Sequence, residues 1–471
     1  MKYYIAFVVL GLACAVFATS VARVEEKIWK NLEESETTNI KISFRKSNTK
    51  SAFDRFNSLK LTTREAKLNT YHAILKEHAD IVQADVAAML NKARSYGKNH
   101  ELFQLWITNE LIVRNVDKEV VEILRDHPDV ASLEAEWFIQ LEDDLEEEYA
   151  APRSNNTILI QWGVERVGAP DVWATGINGQ GAVVGVTDTG ARATHVALRY
   201  TYRGNSPGEN HNYNWFAPTG QAAVPSDTNG HGTHVIGSAS GTEGIGVAPG
   251  SRWITCRGCA TAACSNFDLL GCGQWMTCPT TTSNTAPDCS RAPNVVNNSW
   301  GGGGNNPWYD AVINGWRAVG IVPIFSAGNS GPGCSTLLSP GDRPGAIGIA
   351  SIAANNQRSG FSSNGPTVDG RRNPLVAAPG TSIPSASHLD DVNLRTLSGT
   401  SMSAPHATGV VALIFQRNPQ ISVEGVTDAL ARGAIPHAAT GVTCGGIGDA
   451  TFPNNHVGYG RLWAPYAVAA A

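Results

Sequence analysis

Three short segments carry side chains suited to acyl transfer. Gly399-Thr400-Ser401-Met402-Ser403-Ala404-Pro405-His406 leads into an apolar stretch from Ala407 to Phe415. This pattern puts a serine in the first turn of a buried helix, where unpaired backbone N–H groups and the helix dipole stabilise negative charge. Alone, that serine is equally consistent with a helix cap. Asn229-Gly230-His231-Gly232-Thr233-His234-Val235 sets a histidine among glycines at the start of a second helix. Ala182-Val183-Val184-Gly185-Val186-Thr187-Asp188-Thr189-Gly190 is an apolar strand ending in an aspartate. A hydroxyl is a poor nucleophile at neutral pH. His231 can take the proton of Ser401 and return it to a leaving amine. Asp188, set against the other ring nitrogen, would fix the tautomer and stabilise the imidazolium. Singly, each has a plainer reading as a strand-end carboxylate, a helix-start histidine or a capping serine.

The elements that must position these groups alternate between strands and helices. Strands are expected over Val183–Thr187, Asn294–Asn297, Ile321–Phe325 and Ala346–Ser351, and helices over His231–Ser240, Trp308–Val319, Ala404–Gln416 and Val423–Arg432. Apolar strands separated by helices imply an α/β domain with a parallel sheet covered on both faces. In such sheets, sites gather beyond the C-terminal strand ends. Asp188 and Asn329 both follow expected strands.

The Asp-Thr-Gly, His-Gly-Thr-His and Gly-Thr-Ser-x-Ser-Ala-Pro segments, in the order Asp, His, Ser, resemble those of the subtilisin-like serine proteases (subtilases). The resemblance covers nearly all of residues 157–465. It implies a subtilisin-like three-layer fold with a mostly parallel sheet, and a secreted, self-processing serine endopeptidase with Asp188, His231 and Ser401 as its triad. Pro323 to Ser330 is similar to the family strand ending in an oxyanion-hole asparagine, here Asn329, which would work with the Ser401 backbone N–H and be supported by Thr400. Ser299, Trp300 and Gly301 match the segment whose backbone binds extended substrate and forms one wall of the primary pocket. With no acidic residue between Ser299 and Asn306, a preference for cutting after basic residues is disfavoured. His234 and His406 are read as packing residues. Gly365 to Pro374, with Trp275-Met276, look most like the bacillopeptidase F-type branch. No cofactor is assigned. No metal ligand is assigned, and structural calcium, found in many subtilases, is left open. Two rivals stand beside this reading. One is an inactive relative serving as a binding protein; the other is the serine-carboxyl (sedolisin) group, against which the His-Gly-Thr-His segment speaks.

The 471 residues are enough for more than one domain, and the net charge of −5 gives no sign of a nucleic-acid surface. Lys2, the apolar stretch Ile5–Phe17 and the finish Ser20-Val21-Ala22 read as a cleaved secretory signal, residues 1–22. No later segment is apolar for long enough to suggest a membrane span. Charged residues crowd 23–150 and thin out over 151–471, and the last lysine of the chain is Lys118. The first stretch predicts a helix over Thr63–Tyr96, a strand over Leu102–Ile107, a helix over Lys118–Asp126 and a strand over Val130–Leu141. It resembles the small α+β propeptides that inhibit subtilases. Its acidic tail, Glu142 to Glu148, would lead into the cleft before cleavage somewhere between Glu142 and Thr157. Residues 151–471 would then form the peptidase domain, acting as a monomer on protein and peptide substrates with its own propeptide as inhibitor.

Beyond Cys14, eight of the nine cysteines remain, an even number that suits disulfides in an exported chain. Local spacing suggests Cys256 with Cys272, Cys259 with Cys264 and Cys278 with Cys289, leaving Cys334 for Cys444. The insert from Cys256 to Cys289 is expected to be a surface excursion clipped by these bonds. Asn297-x-Ser299 and Asn155-Asn156-Thr157 match glycosylation sequons, the second being the more exposed by position.

Overall fold

A computed structural model describes residues 21–46, 49–141, 145–147, 159–220, 222–436 and 441–471. Residues 1–20, most of the acidic run and Asn155-Asn156-Thr157 lie outside the described residues. The chain divides into two compact units. The first takes residues up to Ser47, 82–103 and 111–135. Its sheet has the order β1-β5-β2-β4-β3, from β1 (Arg23–Val24), β2 (Thr38–Phe44), β3 (Glu101–Leu105), β4 (Glu110–Val116) and β5 (Val130–Ala135). Helices α1 (Glu26–Glu34), α2 (Thr49–Ser58), α3 (Arg64–Ser95) and α4 (Lys118–Arg125) run between these strands in sequence, with α2 and the part of α3 up to Ile81 belonging to the second unit. Ile28, Ile40, Ile42, Val86, Leu90, Val113, Val121, Leu124 and Leu133 form the core of this unit. Asp117 starts α4 by accepting from the Val120 N–H at 3.0 Å, a local cap that fixes where the helix begins. The expected strand Val130–Leu141 is broken: β5 stops at Ala135, and a separate β6 (Phe138–Gln140) belongs to the second unit.

The second unit holds 48–81, 104–110 and 136–471. After β6 come β7 (Leu145–Glu147), α5 (Trp162–Arg166), α6 (Ala169–Trp173), β8 (Val183–Asp188), β9 (Trp215–Phe216), α7 (His231–Ser240), β10 (Arg252–Arg257), β11 (Ala263–Ser265) and α8 (Asn266–Thr277). They are followed by β12 (Val295–Asn298), α9 (Asp310–Val319), β13 (Val322–Ser326), β14 (Ile347–Ile352), β15 (Val376–Pro379), β16 (Ile383–Ala386), β17 (Leu394–Ser398), α10 (Thr400–Arg417) and α11 (Val423–Arg432). Short strands β18 (Ala434–Ile435), β19 (Thr443–Cys444), β20 (Ile447–Gly448) and β21 (Arg461–Leu462) precede a last helix, α12 (Ala464–Ala469). Nine strands form one sheet, ordered β18-β21-β15-β14-β13-β12-β8-β10-β9, parallel throughout except for β18 against β21.

Alternation along β8 shows the layers. Val184 and Val186 join the core built with Val235 and Ile236 of α7 and Val410 and Val411 of α10. Between them, Gly185 faces the other way: a Cβ there would lie 2.7 Å from Met276 Sδ, on α8. Neighbouring strand residues point to opposite faces, so α7 and α10 cover one face and α8 the other, giving three layers. Both faces are buried, as a parallel sheet requires.

The insert between Cys256 and Cys289 departs from expectation. It is no surface excursion, because β10 pairs with β8 inside the sheet and every residue of α8 is buried. A helix buried on all sides has no 3.6-residue stripe to reveal it in sequence. The bonded pairs are Cys256–Cys272, Cys259–Cys264, Cys278–Cys289 and Cys334–Cys444. Among the described residues no helix is long and apolar enough to cross a membrane.

Candidate active site

Asp188 ends β8, and His231 opens α7. The His231 Nδ1–H donates to Asp188 Oδ1 at 2.7 Å, and both side chains are buried. A carboxylate can only accept, so Nδ1 carries the proton and Nε2 is the ring nitrogen able to take one up. Burial pushes the Asp188 carboxyl up, while the His231 imidazole and the Thr189 N–H, at 2.7 Å, pull the other way.

Two glycines of the histidine segment have definite reasons. Gly230 sits at φ 98°, a left-handed conformation that favours glycine, and turns the chain into α7. Gly232 lets α7 approach β8, since a Cβ there would lie 2.4 Å from Gly190 O.

The geometry also brings in a residue not singled out from sequence, Asp227. Its Oδ1 accepts from Thr189 Oγ1 at 2.9 Å, Asn229 N at 3.0 Å and Gly230 N at 2.8 Å. Its Oδ2 accepts from Thr233 N at 3.0 Å and Thr233 Oγ1 at 2.6 Å. Thr189 Oγ1 in turn accepts from Gly232 N at 2.8 Å. One carboxylate therefore ties the residue after Asp188 to the turn that launches His231. Burial works to raise its pKa, but hydrogen bonds from Thr233, Gly230 and Thr189 outweigh it and hold the group below its ordinary value. The sequence signal was an aspartate one turn ahead of a helix start, a position suited to unpaired N–H groups.

Helix α10 starts four residues earlier than expected, at Thr400, which puts Ser401 inside its first turn. Ser401 Oγ donates to Ser299 O at 3.2 Å. Asn329 follows β13 and is linked to α10: its Oδ1 accepts from Thr400 N and Thr400 Oγ1, each at 2.8 Å. A backbone N–H can only donate, so the oxygen of the amide faces Thr400 and its Nδ2 is aimed elsewhere. Thr400 Oγ1 also accepts from Gly328 N at 3.1 Å. β8 and β13 flank β12 in the parallel sheet, so their ends lie roughly 10 Å apart along one edge. The Asp188–His231 pair and the start of α10 thus share that edge.

The Ser299-Trp300-Gly301 segment behaves differently from a side-chain wall. Trp300 is in the core, its Nε1 donating to Thr187 O at 3.0 Å and its ring packed against Trp308, Tyr309 and Phe325. Ser299 is fully buried, and Gly301 is half-exposed. Anything this segment offers a peptide it offers through its backbone. Asn297 is buried, with Nδ2 donating to Ser299 Oγ at 2.8 Å and Oδ1 accepting from Thr408 Oγ1 at 3.0 Å, so its sequon is closed to glycosylation.

His234 and His406 are buried packing residues. His234 Nε2 lies 2.8 Å from Ile383 O, and His406 Nδ1 lies 2.7 Å from Met402 O. Among the described residues, His72 with Cys278 and Cys289 is a group close enough to share an ion. The two sulfurs are joined in a disulfide and cannot ligate.

The Subtilase family model matches residues 179–460. Bacillopeptidase F of Bacillus subtilis (strain 168) is 32% identical over 95% of this chain, which spans only 32% of that protein's length. Subtilisin E of the same strain is 29% identical over 67% of this chain and 73% of its own. Subtilisin DY of Bacillus licheniformis is 28% identical over 58% of this chain and 90% of its own. With the matched region enclosing the Asp188–His231 pair, Asn329 and Ser401, the chain belongs to the subtilase family of serine endopeptidases.

Proposed function

We propose that this chain is a secreted endopeptidase that hydrolyses peptide bonds through an acyl-enzyme on Ser401. His231 Nε2 takes the Ser401 hydroxyl proton as the oxygen attacks the substrate carbonyl, and the pair with Asp188 stabilises the imidazolium that forms. The Ser401 N–H and Asn329 Nδ2 receive the negative charge that develops on the carbonyl oxygen. The imidazolium then gives its proton to the leaving amine, and water repeats the sequence to release the acid. The reading is carried by the 2.7 Å His231–Asp188 bond, at the sheet edge where α10 begins. It is tested by hydrolysis of a casein-type substrate and by labelling with a serine-directed phosphonate. Both should be lost in Ser401→Ala; hydrolysis that persists in this variant refutes the assignment.

The proposal extends to maturation, with 1–22 as signal and the segment from 23 as a propeptide removed by self-cleavage. β6 runs antiparallel to β11, and Leu141 N–H donates to Ala262 O at 2.7 Å. β7 runs antiparallel to β17 with Leu145 opposite Ser398, three residues ahead of Ser401. Only residues 142–144 separate these two pairings, which argues for a cut between Leu141 and Leu145, earlier than residue 150. Parts of the leading segment also pack with the peptidase core. Gln274 Oε1 accepts from Trp106 N at 2.6 Å and Ile107 N at 3.3 Å, and the Arg64 guanidinium donates to the carbonyls of Ala292 and Pro293. A Ser401→Ala precursor expressed without other proteases should stay uncut. Normal maturation of it excludes self-processing.

A further inference from the structure

We propose that the Cys259–Cys264 disulfide is a positioning device for substrate, holding β11 in place for an extended peptide to pair with. The inference rests on the reading of the chain as a peptidase whose own tail enters the site as a substrate does.

β11 has only three residues and no place in the nine-stranded sheet. Its sheet partner is β6, with Ala263 opposite Gln140, Cys264 opposite Ile139 and Ser265 opposite Phe138. Once the tail leaves, that pairing goes with it, and a single antiparallel bridge between Cys259 and Cys264 is the pairing that remains, little to keep so short a strand extended. Something else must hold the edge ready for the next peptide.

β11 is tethered at two of its residues. On one side Ser265 caps α8, its Oγ accepting from Phe267 N at 3.2 Å and Asp268 N at 3.4 Å. On the other, Cys264 lies inside the strand and is bonded to Cys259, with the two Cα atoms 3.9 Å apart. The bond closes a hairpin whose tip, residues 260–262, is exposed, while both cysteines are buried. Cys259 is itself fixed to the catalytic strand: Gly258 N and Cys259 N donate to Asp188 O at 3.0 Å and 3.1 Å. Hydrogen bonds to Asp188 O and the Cys259–Cys264 disulfide therefore connect the backbone of Asp188 to the residue opposite Ile139. A peptide that reaches β11 is registered against the same residue that orients His231. A ligand too short to reach β11 gains nothing from the bond.

The test uses the full chain, expressed and allowed to mature, as the parent and as Cys259→Ser/Cys264→Ser. Each is assayed on a four-residue peptide anilide and on an ester of one acylated amino acid. The proposal expects kcat/KM on the anilide to fall about tenfold, mainly through KM, because the ordering of the strand is then charged to each binding event. On the ester the fall should be less than about twofold. Removing Cys278–Cys289, which is not part of the hairpin, should leave the anilide-to-ester ratio unchanged. Equal losses on both substrates, or no loss on the anilide, overturn the proposal. If the double serine variant does not mature, Cys259→Ala/Cys264→Val, which keeps the space filled, carries the same comparison. Failure of both to mature while the Cys278→Ser/Cys289→Ser protein matures assigns the bond to folding and overturns it too. A parent that cleaves neither substrate refutes the peptidase reading itself, a distinct outcome.

Discussion

The carbonyl oxygen of Ser401 accepts its hydrogen bond from Ser299 Oγ, at 2.7 Å. Inside a helix that carbonyl would be served by the N–H four residues on, but residue 405 is proline and has none. The hydroxyl of Ser299 takes over, steadied by the chain of Thr408 and Asn297 behind it. Proline in the first turns of α10 thus frees a carbonyl that couples the backbone of Ser401 to the end of β12.

Ser299→Ala removes that donor and leaves a buried carbonyl unpaired, at a cost of about 1–3 kcal/mol in stability. Urea unfolding in a Ser401→Ala background measures it without autolysis. An unchanged midpoint would show that the carbonyl finds another partner.

Thr400 holds the amide of Asn329 by its oxygen, so two substitutions should act in series. Asn329→Ala should lower kcat by about 10²–10³, the usual cost of losing one oxyanion donor, and should slow self-processing without abolishing it. Thr400→Val, which keeps the backbone N–H and loses the hydroxyl, should cost about tenfold in kcat with KM little changed. Equal kcat in the parent and Thr400→Val would remove the hydroxyl from the account.

Asp227 receives five hydrogen bonds, and an asparagine there could accept through one atom only. Asp227→Asn should reduce kcat by about tenfold at nearly constant KM, because the Asp188–His231 geometry loosens while peptide binding does not. Steady-state kinetics on one peptide substrate decides it. A change confined to KM would point to a role in binding instead.

Acid should destabilise the fold through two buried imidazoles. Burial pushes His406 down to about 4 and His234 down to about 3. Above the ordinary histidine value the imidazoles are neutral in folded and unfolded chains alike, and their full contribution is present. As pH falls below it, the unfolded chain binds protons that the native one refuses, so stability drops until pH reaches the folded values. Each group adds about 1.4 kcal/mol per pH unit to that slope. In a Ser401→Ala background, His406→Gln should reduce the slope between about pH 6 and 4.5 by that amount. An identical slope counts against His406 as a source.

Every lysine lies at or before Lys118. After a cut between Leu141 and Leu145, the mature chain should carry one primary amine, its new N-terminus. Intact mass after saturating amine labelling should show a single tag and also name the bond. Several tags would mean that the segment through Lys118 is retained.

The local motifs were legible because each has a local cause. Helix α7 is found at its expected limits, Gly230 needs a left-handed turn, and apolar β8 must run through a covered parallel sheet before it can deliver Asp188. Patterns of this kind fix element type and the identity of reacting groups, since periodicity and turn chemistry act over a few residues. What the chain could not reveal by itself were relations between distant residues. Helix α8 is buried on every side and shows no one-sided apolar stripe, so only the packed sheet shows that the cysteine-rich stretch belongs to the core. The indole of Trp300 turns inward because Thr187 O and three aromatic rings meet it there. Asp227, Thr400 and Ser299 acquire their work from partners up to about a hundred residues away. Sequence determined which atoms are available for the chemistry. Tertiary structure decided which of them are held, because buried donors and acceptors must find partners wherever the fold brings them.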